Sequence, residues 1–338
     1  MQLSMRTRFR NFISRSFPKS CLEAKYPKFL NLFPKHAQLI QCCTGFQFTE
    51  GPVWISEQQS LLFSDIPANR IIQLEYDRSA HLFRQPSQNA NGLTLDFQSR
   101  LIACEQGTRR LTRQENNGSL TVLSSHFQGK RLNSPNDVVV KSDGSIYFTD
   151  PTYGIEASQQ EQPHQGVYRF DTITNTLLLV VSDFEAPNGL VFSPDEQKLY
   201  ISDSSESRRH IRVFDVASDG TLKGGTIFAD LNIDRPGVPD GMTCDNQGNL
   251  FCTGAGGVWI FSPMGQHLGT IRTPEIPTNC TWGSDLRSGL EHREQSTLYI
   301  TAGKSVYSIR CSNSKHHPTQ TNTIDLSFLS PYPISNSL

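Results

Sequence analysis

One pattern occurs six times along the chain, and it constrains the fold more than any other feature. Each copy opens on a polar Glu, Asn or Asp and continues as an alternating strand. A turn follows, then a second strand. The copies begin Glu50-Gly-Pro-Val-Trp54, Asn91-Gly-Leu-Thr-Leu95, Asn136-Asp-Val-Val-Val140, Asn188-Gly-Leu-Val-Phe192, Asp240-Gly-Met-Thr-Cys244 and Asn279-Cys-Thr-Trp282, at spacings of 41, 45, 52, 52 and 39 residues. The second strands end at Phe63-Ser-Asp65, Ala103-Cys-Glu105, Phe148-Thr-Asp150, Ile201-Ser-Asp203, Cys252-Thr-Gly254 and Ile300-Thr-Ala302. In the first five copies the opening residue and this end lie 14 or 15 residues apart. The sixth carries a polar insert around 287–295.

A third alternating strand follows in each copy, for example Val167-Tyr-Arg-Phe170 and Val258-Trp-Ile-Phe261, and most copies supply a fourth after a turn such as Asn117-Gly118 or Asp219-Gly220. Asn-Gly and Asp-Gly are strong hairpin signals because they tolerate positive φ. Four antiparallel strands repeated every 40–50 residues or so are the signature of a propeller blade. The expected fold is therefore an all-β, six-bladed propeller of four-stranded antiparallel blades. The last copy lacks a convincing fourth strand, whereas an unassigned strand, Ala37-Gln-Leu-Ile-Gln41, precedes the first copy. This N-terminal strand is expected to close the ring as the outer strand of the last blade. The propeller domain is expected over 34–311, flanked by a basic extension (1–33) and an irregular tail (312–338).

Composition narrows the function classes. Lys plus Arg number 31 and Asp plus Glu 32, a net charge of −1, so a general phosphate-binding surface is disfavoured and no nucleic-acid partner is expected. No apolar run approaches a membrane span; Thr176-Leu-Leu-Leu-Val-Val181 is among the longest. The eight cysteines show no zinc or disulfide spacing and read as buried thiols of a reducing, cytoplasmic setting. The extension carries Arg6, Arg8, Arg10, Arg15 and Lys19 with no acidic residue before Glu23 and without a secretory apolar core; a basic arm is expected, with a transit peptide as the alternative. P-loop, G-x-S-x-G and H-E-x-x-H motifs are absent.

In a propeller the innermost strands surround the axis, so the six opening residues project toward one end of a common channel. Glu50, Asn91, Asn136, Asn188, Asp240 and Asn279 all carry side-chain oxygens. Polar residues line a wet channel in many propellers, and Asn or Asp before Gly also marks turns. Carboxylates and amide oxygens converging on one axis nevertheless suit a hard divalent cation, Ca²⁺ first, with 6–8 oxygen ligands. Two carboxylates alone would repel, and one would have to protonate.

Glu50-Gly-Pro-Val-Trp54, Phe63-Ser-Asp-Ile-Pro67, Ser134-Pro-Asn-Asp137, Pro187-Asn-Gly-Leu190 and Pro239-Asp-Gly-Met242 resemble motifs of the gluconolactonase/regucalcin (SMP-30) family. Asn89-Ala-Asn-Gly92 and Lys130-Arg-Leu-Asn-Ser-Pro-Asn-Asp137 are most similar to its microbial gluconolactonase branch. The resemblance implies a metal-dependent hydrolase that opens glucono-1,5-lactone or a similar aldonolactone. It maps Glu50, Asn136, Asn188 and Asp240 to metal-binding positions, with Asp240 the candidate general base and metal-bound hydroxide the alternative. The cation would be Ca²⁺, with Mg²⁺, Mn²⁺ or Zn²⁺ as alternatives, polarising the lactone carbonyl. Asn91, Glu105, Arg109, Tyr153 and Asp203, near the same strand ends or in adjoining loops, are expected to hydrogen-bond sugar hydroxyls. The family segment corresponding to Cys104-Glu-Gln-Gly-Thr-Arg-Arg110 typically has His after Glu; here Gln106 is neutral. Organophosphate or aryl-ester hydrolysis on the same metal is a second reading. A non-catalytic, metal-stabilised propeller that binds a protein partner is a third. The sequence does not fix the oligomeric state.

Overall fold

The computed structural model describes residues 8–9, 15–17, 21–75, 77–286 and 295–314. The polar insert at 287–294, the tail beyond residue 314 and much of the basic extension lie outside these residues.

Six antiparallel sheets surround an axis. Blade one comprises Thr49–Ile55, Ser60–Asp65, Arg70–Leu74 and Ala80–Arg84. Blade two comprises Ala90–Leu95, Leu101–Glu105, Arg110–Gln114 and Leu120–Ser124. Blade three is built from Val138–Val140, Ile146–Asp150, Gln165–Asp171 and Thr176–Phe184. Pro187–Phe192, Lys198–Asp203, His210–Val216 and Leu222–Asp230 form blade four. Met242–Cys244, Leu250–Gly254, Gly257–Phe261 and His267–Ile271 form blade five. Blade six takes Pro277–Gly283, Thr297–Ala302 and Ser305–Arg310 from one end of the chain and Leu39–Thr44 from the other. The expected closure is observed: Leu39–Thr44 runs antiparallel to Ser305–Arg310, with Thr44 opposite Ser305 and Cys43 opposite Val306.

The second strand of each blade explains how the ring is held. Its side chains alternate between two faces, and each face meets a different neighbouring blade. Leu61 and Phe63 enter the core shared with blade six, while Leu62 enters the core shared with blade two. Tyr147 faces blade four, and Ile146 and Phe148 face blade two. Tyr299 turns toward blade one, and Leu298 and Ile300 toward blade five. Both faces are buried, so these strands read as nearly continuous apolar runs, and the described residues form six clusters, one at each blade boundary.

Residues ahead of the expected boundary at 34 also pack on the ring. Leu22–Ala24 adds a fifth strand beside His267–Ile271 of blade five. The 3₁₀ turn Pro27–Leu32 inserts Phe29, fully buried, into the core between blades five and six. All eight cysteines are buried thiols, none of them in a disulfide. Among the described residues no helix is long and apolar enough to cross a membrane.

Candidate functional site

The inner strands start at one end of the axis, and neighbouring starts are clipped together. The Ser or Thr near the end of a second strand donates its hydroxyl to a main-chain carbonyl at the head of the next blade. Ser64 reaches the Asn91 carbonyl at 2.7 Å, Thr149 that of Asn188 at 2.8 Å and Ser202 that of Asp240 at 3.1 Å. Thr253 reaches the Thr278 carbonyl at 2.9 Å, and Thr278 passes the link on to the Thr49 carbonyl at 2.8 Å. In blade two the corresponding residue is Cys104. Blades two and three are joined instead by the Gly92 amide, which donates to the Asn136 carbonyl at 2.7 Å. Small residues after the head permit this approach: a Cβ on Gly189 would overlap the Asp240 carbonyl, and one on Gly241 the Asn279 amide group.

These clips converge the heads. Glu50, Asn91, Asn136, Asn188 and Asn279 are buried, and Asp240 is half-buried. The site also holds a carboxylate not expected from the sequence, that of Asp137. It accepts a hydrogen bond from the Asn279 amide across the axis at 3.3 Å and one from its neighbour's main chain, Val138 N–H, at 2.9 Å. Four other copies have glycine at this position (Gly51, Gly92, Gly189 and Gly241), so an acidic residue in the third copy is the signal that would have found it.

Glu50, Asp137 and Asp240 therefore share one poorly hydrated region. Burial pushes the Glu50 carboxyl up to about 8, with the Asp137 charge adding to the rise and the Gly51 N–H and Asn279 opposing it. Burial likewise raises Asp137 to about 6 despite hydrogen bonds from Val138, Asn279 and Leu190. Asp240 is also raised, by burial and by the Glu50 and Asp137 charges, while Gly241 and Asn188 oppose the shift. No cationic side chain is among the groups acting on these three carboxylates.

The expected rim residues divide. Tyr153 is half-exposed at the mouth; burial of its hydroxyl pushes it up to about 12, with Ser204, Asp240, Asp203 and Asn188 acting on it. Asp203 is instead fully buried, and its carboxylate accepts the Glu185 and Ala186 main-chain N–H groups at 3.1 and 3.0 Å. Asp65 and Asp150 do the same with Gln47 and Phe48 and with Asn133 and Ser134. Glu105, also fully buried, binds Thr108, Arg110 and Thr112. The oxygens of Glu105 and Asp203, expected to meet sugar hydroxyls, are bound within the fold to groups that precede or follow the strands. Arg109 is also drawn inward, its Nε donating to the Leu132 and Asn133 carbonyls at 2.7 and 2.9 Å.

Among the described residues no group of three or more His, Cys, Asp and Glu side chains is arranged as a metal cluster. The oxygen donors at the axis come as much from asparagine amides as from carboxylates, and such a set is hard in character.

Comparison with known proteins adds an independent line of information. The model of the SMP-30/Gluconolactonase/LRE-like region matches residues 48–304. A gluconolactonase from Zymomonas mobilis is 34% identical over 297 residues, spanning 79% of each chain. A solved structure from Xanthomonas campestris, described as a gluconolactonase, superposes with a TM-score of 0.80 at 32% identity, covering 90% of this chain and 99% of that one. A pentonolactonase from Haloferax volcanii is 24% identical over 265 residues, covering 76% of this chain and 82% of its own length.

Proposed function

The chain belongs to the SMP-30/gluconolactonase family, and from that premise we propose that it hydrolyses a sugar lactone, glucono-1,5-lactone or a related aldonolactone, with the help of a divalent cation. The observation that carries the reading is the trio Glu50, Asp137 and Asp240, gathered at the axis with no cationic side chain acting on them among the described residues. A fold that keeps three carboxylates in this setting gains stability from a bound cation, and the hard oxygen donor set fits Ca²⁺. Glu50, Asn136, Asn188 and Asp240 would hold it. When bound, the ion supplies a Lewis acid for the lactone carbonyl.

The chain's own groups do the remaining work. Asp240 is the most accessible of the three carboxylates and acts on Tyr153 at the mouth, so it is the proton acceptor best placed for an incoming water. Water adds to the carbonyl carbon as its proton passes to the Asp240 carboxylate. The ring C–O bond then breaks, and the proton returns to the departing ring oxygen as the aldonic acid forms. Tyr153 offers a hydroxyl to orient the sugar, and Asn91 borders the same end of the channel.

The test is hydrolysis of glucono-1,5-lactone, corrected for spontaneous opening, by metal-stripped protein with and without Ca²⁺, beside Asp240→Asn. Ion-dependent turnover that falls at least a hundredfold in the variant is expected. Undiminished turnover in chelator, or full activity in Asp240→Asn, would overturn the mechanism.

A further inference from the structure

Blade three differs from its neighbours at the mouth. The connection between its second and third strands runs over 151–164, where blades one and two use only 66–69 and 106–109. Tyr153 sits in this long connection, half-exposed, with Asn188, Ser204 and Asp240 acting on its hydroxyl. An exposed side chain on a long connection ordinarily samples many positions, and fixing one of them costs conformational entropy.

Two side chains hold the main chain around it. Thr152 N–H donates to Gln165 Oε1 at 3.0 Å and Gly154 N–H donates to Ser134 Oγ at 3.0 Å, so the backbone is bound immediately before and immediately after Tyr153. The two anchors come from different parts of the fold. Gln165 opens the third strand of blade three. Ser134 is fully buried in the segment that leads to Asn136; its own N–H and that of Asn133 donate to the Asp150 carboxylate at 2.8 and 2.7 Å. The fit at Gly154 is close. A Cβ there would overlap Ser134 Oγ and press on the Cβ of Gln106, so the loop lies directly on these two residues. Neither Ser134 nor Gln165 is among the groups acting on the Glu50, Asp137 and Asp240 carboxyls, and the route from their side chains to the site is through Tyr153.

We propose that Ser134 and Gln165 are positioning residues for lactone hydrolysis: they fix the Tyr153 main chain from both sides, so that its hydroxyl meets the sugar in one orientation. This rests on the lactonase reading above and adds to it how the mouth is kept in order. Holding a substrate-orienting group in a narrow range of geometries raises turnover without any new contact to the reacting atoms.

A double-mutant cycle on glucono-1,5-lactone tests this, with Ser134→Ala and Gln165→Met each made in the wild-type chain and in Tyr153→Phe. In the wild-type chain each change is expected to lower kcat/KM about three- to fivefold. In Tyr153→Phe each should lower it by less than about 1.5-fold, because the hydroxyl they position is gone. A merely structural role would give the same loss in both backgrounds. Hydrogen exchange of the Thr152 and Gly154 amides should also quicken in the variant that removes each acceptor. Gln165→Met carries the test if Ser134→Ala does not fold. Equal losses in the two backgrounds, or full kcat/KM in both single variants, would overturn the positioning role while leaving the part of Tyr153 intact. Full kcat/KM in Tyr153→Phe alone would instead withdraw the hydroxyl from the lactonase reading, and the positioning role with it.

Discussion

Asn279 of blade six and Asp137 of blade three, on opposite sides of the ring, meet across the axis at 3.3 Å. The channel is therefore narrow enough at this level for side chains from opposed blades to touch. That proximity holds Asp137 within electrostatic reach of Glu50 and Asp240, whose carboxyl groups its charge pushes upward.

The first expectation concerns pH. Folding raises the Glu50 carboxyl from 4.5 to about 8, so the folded state holds this proton more tightly than the unfolded chain. The associated stability is fully present below 4.5 and is lost as pH rises through about 8. Urea melts in chelator should show a less stable protein at pH 8.5 than at pH 5, with a smaller difference in Glu50→Gln. Added Ca²⁺ should restore stability at pH 8.5. A cation-free protein that gains stability across this interval would contradict the assignment.

Ser202 donates to the Asp240 carbonyl at 3.1 Å and to the Gly189 carbonyl at 3.3 Å. Ser202→Ala strands these buried acceptors, and the expected loss is about 1–3 kcal/mol in equilibrium unfolding. Ser202→Thr keeps the hydroxyl and should recover most of that loss. Equal stability of the alanine and wild-type proteins would remove the clip from the account.

Gly189 lies against the backbone of the next blade's head, where the obstacle is the Asp240 carbonyl rather than a movable side-chain tip. Gly189→Ala should cost about 1–3 kcal/mol by overpacking and displace the Asp240 carboxylate. Lactone turnover should fall even under conditions where the variant is fully folded. Wild-type kcat in such a sample would argue against this contact as the support for Asp240.

Tyr153 is half-exposed, so Tyr153→Phe should leave the melting temperature nearly unchanged. Losing one hydrogen bond of about 0.5–1.5 kcal/mol should lower kcat/KM roughly three- to tenfold. Steady-state kinetics on the lactone decide this, and an unaltered kcat/KM would leave the hydroxyl without a role in binding.

The fold was legible because a propeller writes its architecture six times. Glu50, Asn91, Asn136, Asn188, Asp240 and Asn279 recur in one register, and that register places them at one end of the axis. Recurrence also explains the carboxylates at the strand ends. Asp203 stands at a strand end as Asp65 and Asp150 do, and all three cap preceding main-chain N–H groups, a role the architecture needs in several blades. Asp137 departs from the repeat, and a departure gives the stronger hint of specialised chemistry. Phe29 was not legible because a short 3₁₀ turn carries too little periodicity to announce its burial.

Blade six is assembled from residues some 260 positions apart, since Cys43 pairs with Val306. During synthesis the N-terminal strand emerges early, with an edge whose partner has not yet been made. The first blades can gather as they leave the ribosome, but blade six waits for nearly the whole propeller to be translated. Ring closure is then among the contacts of longest sequence separation, and the entropy of closing that loop weighs on the final folding step. Premature termination shortly before Ser305 would leave one edge of Leu39–Thr44 exposed and unpaired, and with it a template for association between incomplete chains.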